Sequence, residues 1–265
     1  MTPIQLIAVD LDGTLLRSDG TPAPAGMDAL RKARAAGVHV VLTSARIYHS
    51  MLQYYDALAL TGPMICIDGA QIWRTRDELW QQTTFPREIG LVIAAEADTG
   101  GWAISTSAGD RAYYRRLPDQ PLGEFKPGRW AVDSNADTIP VDPLRTLTWD
   151  ADAATHLETF ITANYPDQCR LTTFYYEDGS IRSLTVMAPN VSKGAGLRFV
   201  AEKLAVPLAN TLAIGDGHND ISMFDVAGVS VAMGNAFDVV HAKADHTAPA
   251  NDDEGLAWAV KKFVL

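Results

Sequence analysis

The chain has 265 residues, and 22 Lys and Arg stand against 32 Asp and Glu, for a formal net charge of −10. This acidic balance argues against a nucleic-acid binder that neutralises phosphates and against attachment to an anionic membrane surface. Two cysteines are too few for a disulfide framework. Because the N-terminus lacks the features of a signal peptide and no apolar run approaches the roughly 18 residues of a membrane span, we expect a soluble, cytoplasmic protein.

The first third of the chain alternates between apolar strands and helices. We predict strands over residues 4–9, 38–42 and 64–67, and helices over 25–36 and 47–59. The strands are nearly continuous apolar runs, which is typical of strands buried on both faces of a parallel sheet. Polar residues follow each strand directly: Asp10 and Asp12, then Ser44, then Asp68.

The last quarter of the chain returns to the same alternation. We predict helices over residues 193–204 and 221–227, and strands over 211–214 and 229–233. Strands and helices that alternate with short connections predict a doubly wound, mostly parallel α/β sheet with right-handed crossovers.

The middle of the chain has a different pattern and predicts an inserted α+β domain with a mixed or antiparallel sheet. We expect helices near 88–98 and 151–163, strands near 102–106, 146–149, 171–176 and 180–186, a hairpin turn at 177–180 and a loop over 117–143. Residues 111–116 mix basic and aromatic side chains, as in a solvated strand or a lid over an anionic or planar substrate. The insert spans residues 83–187 and divides a core of 1–82 and 188–265.

Polar residues at the strand ends define a candidate site, because ligands of doubly wound sheets bind beyond the carboxyl ends of the strands. The residues expected there are Asp10, Asp12, Ser44, Asp68, Lys193, Asp216, Asn219 and Asp220. Several Asp in one pocket repel one another unless a cation is present, and hard oxygen ligands favour Mg²⁺. The ion recruits phosphate, whose remaining oxygens Ser44 and Lys193 can bind.

A phosphate in this pocket faces two carboxylates with different possible roles. Asp10 can attack the phosphorus in line, because the charge on the phosphate is neutralised. Asp12 can protonate the leaving oxygen and later take a proton from the water that hydrolyses the aspartyl phosphate.

Four segments, in order along the chain, resemble the motifs of the haloacid dehalogenase-like (HAD) superfamily of phosphohydrolases, and specifically its Cof-type subfamily. They are Asp-Leu-Asp-Gly-Thr at 10–14, Thr-Ser-Ala-Arg at 43–46, Ser-Lys-Gly at 192–194 and Gly-Asp-Gly-His-Asn-Asp at 215–220. Residues 231–236, Val-Ala-Met-Gly-Asn-Ala, are similar to a segment that is common after the fourth motif.

The resemblance implies a role for each matching position. Asp10 is expected to be the nucleophile and a Mg²⁺ ligand, and Asp12 the general acid/base, with its backbone carbonyl on the metal. Asp216 and Asp220 are expected to complete the metal site. Ser44 and Lys193 are expected to bind the phosphoryl group, with support from Asn219, while the insert is expected to be a cap that selects the leaving group.

Two positions depart from the family pattern. Ala45 stands where the family usually has Gly, and its methyl group restricts the turn. Asp68 stands where the family usually has Asn, which adds negative charge near an anion site. We hypothesise either that Asp68 pairs with Arg46 or that it shifts the substrate preference.

The residues favour a Mg²⁺-dependent phosphatase that acts on a small phosphorylated metabolite, such as a sugar phosphate or a cofactor phosphate. A phosphomutase or phosphotransferase could use the same aspartyl phosphate. A non-catalytic phosphoacceptor switch also uses Asp, Mg²⁺ and Lys on a doubly wound sheet, although the length, the insert and Asp12 argue against it.

Overall fold

A computed structural model describes residues 3–116, 118–176 and 178–265. The chain divides into two compact units. The first comprises residues up to Arg46, Met51–Gln81 and Ser192–Leu265, and the second comprises Ile47–Ser50 and Gln82–Val191. Within the described ranges, every helix is too short or too polar to cross a bilayer.

The helices and strands follow one another in a simple order. The N-terminal part forms β1 (Leu6–Asp10), α1 (Pro24–Ala35), β2 (His39–Thr43), α2 (Tyr48–Ala57), β3 (Met64–Cys66), β4 (Gln71–Thr75) and β5 (Glu78–Gln82). The middle part forms α3 (Arg87–Thr99), β6 (Ser105–Ala108), β7 (Arg111–Arg115), β8 (Gly123–Lys126), β9 (Arg129–Val132), β10 (Arg145–Thr148), α4 (Ala151–Asn164), β11 (Arg170–Tyr175) and β12 (Ile181–Met187). The C-terminal part forms α5 (Lys193–Lys203), β13 (Thr211–Gly215), α6 (Ile221–Phe224), β14 (Val229–Ala232), α7 (Asp238–His241), β15 (His246–Thr247) and α8 (Gly255–Phe263).

The sheet of the first unit is mostly parallel. In the described residues its strand order is β15-β14-β13-β1-β2-β3-β4-β5. The strands from β15 to β3 run parallel, and β4 is antiparallel to β3. In the register of β1 and β2, Asp10 stands beside Thr43, so both strands end at the same level. The predicted doubly wound α/β core is confirmed.

Strand β1 is central because both of its faces are covered. All of its residues are buried. Leu6 and Ala8 pack in one cluster with Leu197 of α5 and Met223 of α6. Ile7, which is also fully buried, points to the opposite face, since side chains alternate along a strand. This two-sided burial explains the continuous apolar run in the sequence.

The second unit contains a mostly antiparallel sheet, with the order β11-β12-β10-β6-β7-β9-β8 among the described residues. Only the pairing of β7 with β9 is parallel in the registers described. The predicted loop over 117–143 is wrong, because β8 and β9 lie within it. Most of its Pro, Gly and Asp residues lie in the connections, where Gly128, between β8 and β9, adopts a positive φ. Leu117, and Glu177 of the predicted hairpin turn, lie outside the described residues.

The start of α5 lies unusually close to α6, and Gly194 makes this approach possible. A Cβ at Gly194 would lie 1.9 Å from the backbone oxygen of Ser222. We expect Gly194→Ala to lower the free energy of unfolding by about 1–3 kcal/mol or more, because backbone must move to admit the methyl group. Urea denaturation measures this loss. Gly62→Ala is the control, since a Cβ there meets nothing within 4 Å; equal stability of the two variants would contradict the explanation.

Candidate active site

Three carboxylates meet at the carboxyl edge of the first sheet. One oxygen from each of Asp10, Asp216 and Asp220 lies within 4.8 Å of the others. Asp10 ends β1 and Asp216 follows β13, so neighbouring parallel strands deliver two of the three groups. Among the described residues the carboxylate of Asp12 is not in this acidic group.

Lys193 supplies the positive charge inside the group. Its Nζ donates to Oδ1 of Asp10 at 2.5 Å and to Oδ1 of Asp220 at 2.6 Å, and the residue is only 1% exposed. Burial alone would lower the pKa of Lys193, but the charges of Asp10 and Asp220 outweigh burial and raise it. Ser192 caps α5 by accepting a hydrogen bond from the amide of Ala195 at 3.1 Å, which fixes Lys193 at the first helical position.

Asp220 also organises the loop that follows β13. Its Oδ2 accepts the backbone amides of Asp216 at 3.0 Å and of Gly217 at 2.8 Å, while its Oδ1 accepts Lys193. Both oxygens therefore have partners, and the carboxylate is fully buried. Asp220 thus fixes the loop and the lysine in addition to its place in the acidic group.

Asp216 is held by neutral donors. Thr14 Oγ1 donates to its Oδ1 and Asn235 Nδ2 donates to its Oδ2, both at 3.2 Å. Burial, followed by repulsion from Asp220, raises the pKa of Asp216 to about 7. A Cβ at Gly13 would lie 2.1 Å from Asp216 Oδ2, so the loop after β1 tolerates only glycine there.

The donor set of the acidic group fits a hard divalent cation. Burial raises the pKa of Asp10 well above its usual value, and Asp220 and Asp216 raise it further, although Lys193 opposes them. Three clustered carboxylates against one ammonium leave net negative charge in a buried place, which a cation would neutralise. The donors are all carboxylate oxygens, and such ligands suit Mg²⁺.

Asp12 is bound by Arg46. The guanidinium donates from Nε to Asp12 Oδ2 at 2.8 Å and from Nη2 to Asp12 Oδ1 at 2.5 Å. Arg46 also stacks on the ring of Tyr54, and its hydrogen bonds to Asp12 raise its pKa. The hypothesis that Asp68 pairs with Arg46 is therefore wrong, because the exposed carboxylate of Asp12 satisfies the guanidinium in two-point geometry.

Ser44 follows directly after β2, and a strained loop at residues 67 and 68 contacts it. Ser44 is 1% exposed, its Oγ accepts the amide of Arg46 at 3.1 Å and its carbonyl accepts the amide of Asp68. Ile67 and Asp68 have φ values of +50° and +52°, which is unusual for any residue and costly for a β-branched one. Surrounding contacts must impose this conformation, as is common at functional sites.

Asn219 and Asp68 form a pair beside the acidic group. Asn219 Nδ2 donates to Asp68 Oδ1 at 2.8 Å, and Asp68 is buried. Hydrogen bonds thus join Lys193 to Asp10 and Asp220, Asp220 to the amide of Asp216, and Asn219 to Asp68. Ser44 is joined to the amides of Arg46 and Asp68, and Arg46 binds the Asp12 carboxylate. The sequence alone assigned no role to Asn235 or Thr14. Asn235 could have been suspected only from the resemblance of residues 231–236 to a segment that is common after the fourth motif.

Comparisons with known proteins point to one family of hydrolases. The family described as haloacid dehalogenase-like hydrolase matches the chain over residues 7–260. The chain is 28% identical to the 5-amino-6-(5-phospho-D-ribitylamino)uracil phosphatase YcsE of Bacillus subtilis, and the match covers 99% of this chain and 96% of that protein. It is 27% identical to the pyridoxal phosphate phosphatase YbhA of Escherichia coli, with 98% of this chain and 99% of that protein covered.

A solved structure is similar along the same length. A haloacid dehalogenase-like hydrolase from Bacteroides thetaiotaomicron matches with a TM-score of 0.83 at 23% identity, and the match covers 98% of this chain and 99% of that chain. This likeness supports the fold described above.

Proposed function

The chain belongs to the haloacid dehalogenase-like hydrolase family, and from this premise we propose that it is a Mg²⁺-dependent phosphatase acting through an aspartyl phosphate. The observation that carries the proposal is the acidic group of Asp10, Asp216 and Asp220 beside the buried Lys193. A carboxylate that could act as nucleophile, a group that could hold a cation and a positive charge that could bind phosphate thus lie together in the first unit.

The carboxylates of Asp10 and Asp216 and the backbone carbonyl of Asp12 would hold the cation, together with Asp220 directly or through water. When bound, Mg²⁺ supplies positive charge that offsets the phosphoryl oxygens. Asp220 already accepts three hydrogen bonds, so its main part in this scheme is to support Lys193 and the loop of Asp216.

The first chemical step is attack by Asp10. Lys193 orients the Asp10 carboxylate through its Oδ1 and leaves the second oxygen for an in-line approach to phosphorus. A bond forms between this oxygen and phosphorus as the bond to the leaving oxygen breaks, and Asp12 protonates the leaving oxygen. Before this step Asp12 must exchange Arg46 for the leaving group and take up a proton from solvent, because both of its oxygens accept hydrogen bonds from Arg46 in this structure.

The second step returns the enzyme to its starting state. A water molecule attacks phosphorus, Asp12 takes a proton from that water, and the Asp10 carboxylate leaves. Phosphate then departs, and Asp12 releases the proton to solvent as it pairs with Arg46 again. Ser44, Lys193 and Asn219 bind the phosphoryl oxygens through both steps, because each presents a donor at the carboxyl edge of the sheet. Hydrogen bonds to such an anion act strongly in a buried site.

We assign selection of the leaving group to the cap, residues 83–187. Strand β7 of its sheet carries aromatic and basic side chains, and Tyr114 of β7 stacks on Trp149, which follows β10, with ring centroids 6.2 Å apart. Arg129 donates to the Tyr114 hydroxyl at 2.7 Å. Relatives named as phosphatases of a phosphoribitylamino-uracil and of pyridoxal phosphate support a small phosphorylated metabolite as substrate.

A screen of phosphorylated metabolites tests the proposed function. The purified protein is incubated with each compound and Mg²⁺, or with EDTA, and free phosphate is measured. We expect Mg²⁺-dependent release from at least one compound, with water as the acceptor. Transfer of the phosphoryl group to a second metabolite would favour a phosphotransferase. A persistent acyl phosphate without phosphate release would favour a phosphoacceptor switch.

The pKa of Asp216 predicts how Mg²⁺ affinity changes with pH. The folded-state pKa of about 7 is above the usual Asp value of 3.8, so the folded protein holds a proton there up to neutral pH. This proton must leave when the metal binds. We therefore expect the Mg²⁺ dissociation constant to rise about tenfold per pH unit below pH 7 and to level off above it.

Calorimetric titrations with Mg²⁺ at pH 6, 7 and 8 measure this dependence. Burial raises the pKa of Asp216, so ionisation of this carboxylate lowers the free energy of unfolding as the pH rises toward 7. A bound cation offsets this loss. The Mg²⁺-induced rise in Tm is thus expected to be larger at pH 8 than at pH 6. Asp216→Asn serves as the control: it removes one titrating ligand, so its Mg²⁺ affinity should be weaker at pH 8 and should change less with pH than that of the parent protein. An affinity independent of pH in the parent protein would contradict the prediction.

A further inference from the structure

Asn235 lies in the turn after β14, within the segment at 231–236, and the proposed reaction gives it no part. Its side chain has three polar contacts, which span two loops of the site. Nδ2 donates to the carbonyl oxygen of Gly13 at 2.9 Å and to Oδ2 of Asp216 at 3.2 Å. Oδ1 accepts the backbone amide of Asn251 at 2.9 Å. Because a carbonyl and a carboxylate can only accept, and the Asn251 amide can only donate, these partners fix the orientation of the amide group.

The two loops that Asn235 joins need a donor between them. A Cβ at Gly13 would lie 2.1 Å from Asp216 Oδ2, so the peptide at Gly13 and the carboxylate are in direct contact. The Gly13 carbonyl and the Asp216 carboxylate both carry negative partial charge and repel each other. The two hydrogens of Asn235 Nδ2 satisfy one acceptor each, which allows the loops to stay close.

The side chains that donate hydrogen bonds to Asp216 are neutral, whereas the side chain that donates to Asp10 and Asp220 is charged. Lys193 brings a full positive charge to Asp10 and Asp220. Asp216 accepts instead from the neutral groups of Thr14 and Asn235. A neutral donor orients a carboxylate without adding positive charge, so Asp216, once ionised, would present its full negative charge to a cation.

Asn251 anchors Asn235 from behind. It is 4% exposed, and its Nδ2 donates to the carbonyl oxygen of Leu16 at 2.9 Å. Leu16 belongs to the same loop as Gly13, so the chain of contacts starts and ends on the loop after β1. The Asn251 side chain thus holds the Leu16 end of this loop, whereas Asn235 is held through the backbone amide of Asn251.

We propose that Asn235 is a positioning residue that orients the Asp216 carboxylate toward the cation and fixes the distance between the two metal-binding loops. The inference rests on the proposed function, because it assumes that the acidic group binds Mg²⁺. Partners that orient metal ligands from outside typically change metal affinity by about 10- to 100-fold when they are removed.

The test is the Mg²⁺ dissociation constant of the substrate-free, full-length protein, measured by calorimetry at pH 8. We expect Asn235→Ala to weaken Mg²⁺ binding by about 10- to 100-fold. Asn235 is exposed, so the truncation should leave the fold intact. If Asn235→Ala does not fold, Asn235→Ser is used under the same criterion, with at least a tenfold weakening expected.

Asn251→Ala is the matched control. It removes the side chain that binds the Leu16 carbonyl but keeps the backbone amide that Asn235 accepts. We expect a lower Tm in this variant, with the Mg²⁺ dissociation constant within about threefold of the parent, because the Asn235 contacts to Asp216 remain. A purely structural role for Asn235 predicts a lower Tm without weaker Mg²⁺ binding.

The outcomes separate this inference from the proposed function. Mg²⁺ binding by the parent with an unchanged dissociation constant in Asn235→Ala would overturn the positioning role and leave the phosphatase proposal intact. A parent protein that does not bind Mg²⁺ would overturn both.

Discussion

Asp10→Asn is expected to reduce turnover of p-nitrophenyl phosphate by about 10⁴-fold or more, measured as nitrophenolate release at saturating Mg²⁺. The amide has nearly the same shape as the carboxylate but lacks its nucleophilic oxygen. Lys193 retains Asp220 as a partner, so the fold should persist. Retained Mg²⁺-dependent turnover in this variant would exclude Asp10 as the nucleophile.

Asp12→Asn provides the matched comparison for Asp10→Asn. Nitrophenolate is a good leaving group that does not require protonation, so attack by Asp10 should continue. Hydrolysis of the aspartyl phosphate needs the base and should slow by about 10²- to 10⁴-fold. We therefore expect phosphorylated protein to accumulate in Asp12→Asn, and none in Asp10→Asn, when intact masses are measured after rapid quenching.

Lys193→Met is expected to lower the free energy of unfolding by about 3–5 kcal/mol at pH 8 without Mg²⁺. The ammonium is 1% exposed and lies within 2.6 Å of both Asp10 and Asp220. Without it, three carboxylates lie within 4.8 Å of one another and have no buried cation. The loss should be smaller at pH 5, because Asp216, whose pKa burial raises to about 7, is then protonated and no longer repels the other carboxylates.

Lys203→Met is the control for Lys193→Met, because Lys203 is exposed at the opposite end of the same helix. We expect its unfolding free energy to change by no more than about 1 kcal/mol, which includes the loss of the exposed cation–π contact between Lys203 and Phe199. Added Mg²⁺ should restore part of the stability of Lys193→Met, because the cation offsets the repulsion among the carboxylates. It should not restore the positive charge with which Lys193 is proposed to bind phosphate. A loss that is equal at pH 5 and pH 8 would contradict the electrostatic explanation.

The position of the site could be predicted from the sequence, because the site lies where the parallel strands end and the sequence marks those ends. Asp10 and Asp216 each follow an apolar run, and adjacent parallel strands must deliver them to one edge. The spacing of the motifs added Lys193 at a helix start. These features depend on local pattern and on topology, which a sequence encodes directly.

The side-chain contacts within the site could not be predicted from the sequence, because they depend on how segments far apart in the chain pack together. Arg46 pairs with Asp12 rather than Asp68, and both carboxylates belong to loops that the sequence had already placed nearby. Asn235 contacts the carbonyl of Gly13, 222 positions away in the chain. Strands β8 and β9 were missed because their short alternating runs lie among turn residues that favour a loop prediction.

The covalent role of Asp10 is tested most directly by trapping the intermediate. Protein quenched during turnover is treated with borohydride, which reduces an aspartyl phosphate to homoserine, and peptide mass spectrometry locates the modified position. Homoserine at position 10 is the result we predict. Homoserine at position 12, 216 or 220 instead, or sustained turnover with no reduced residue in any peptide, would contradict the proposed mechanism.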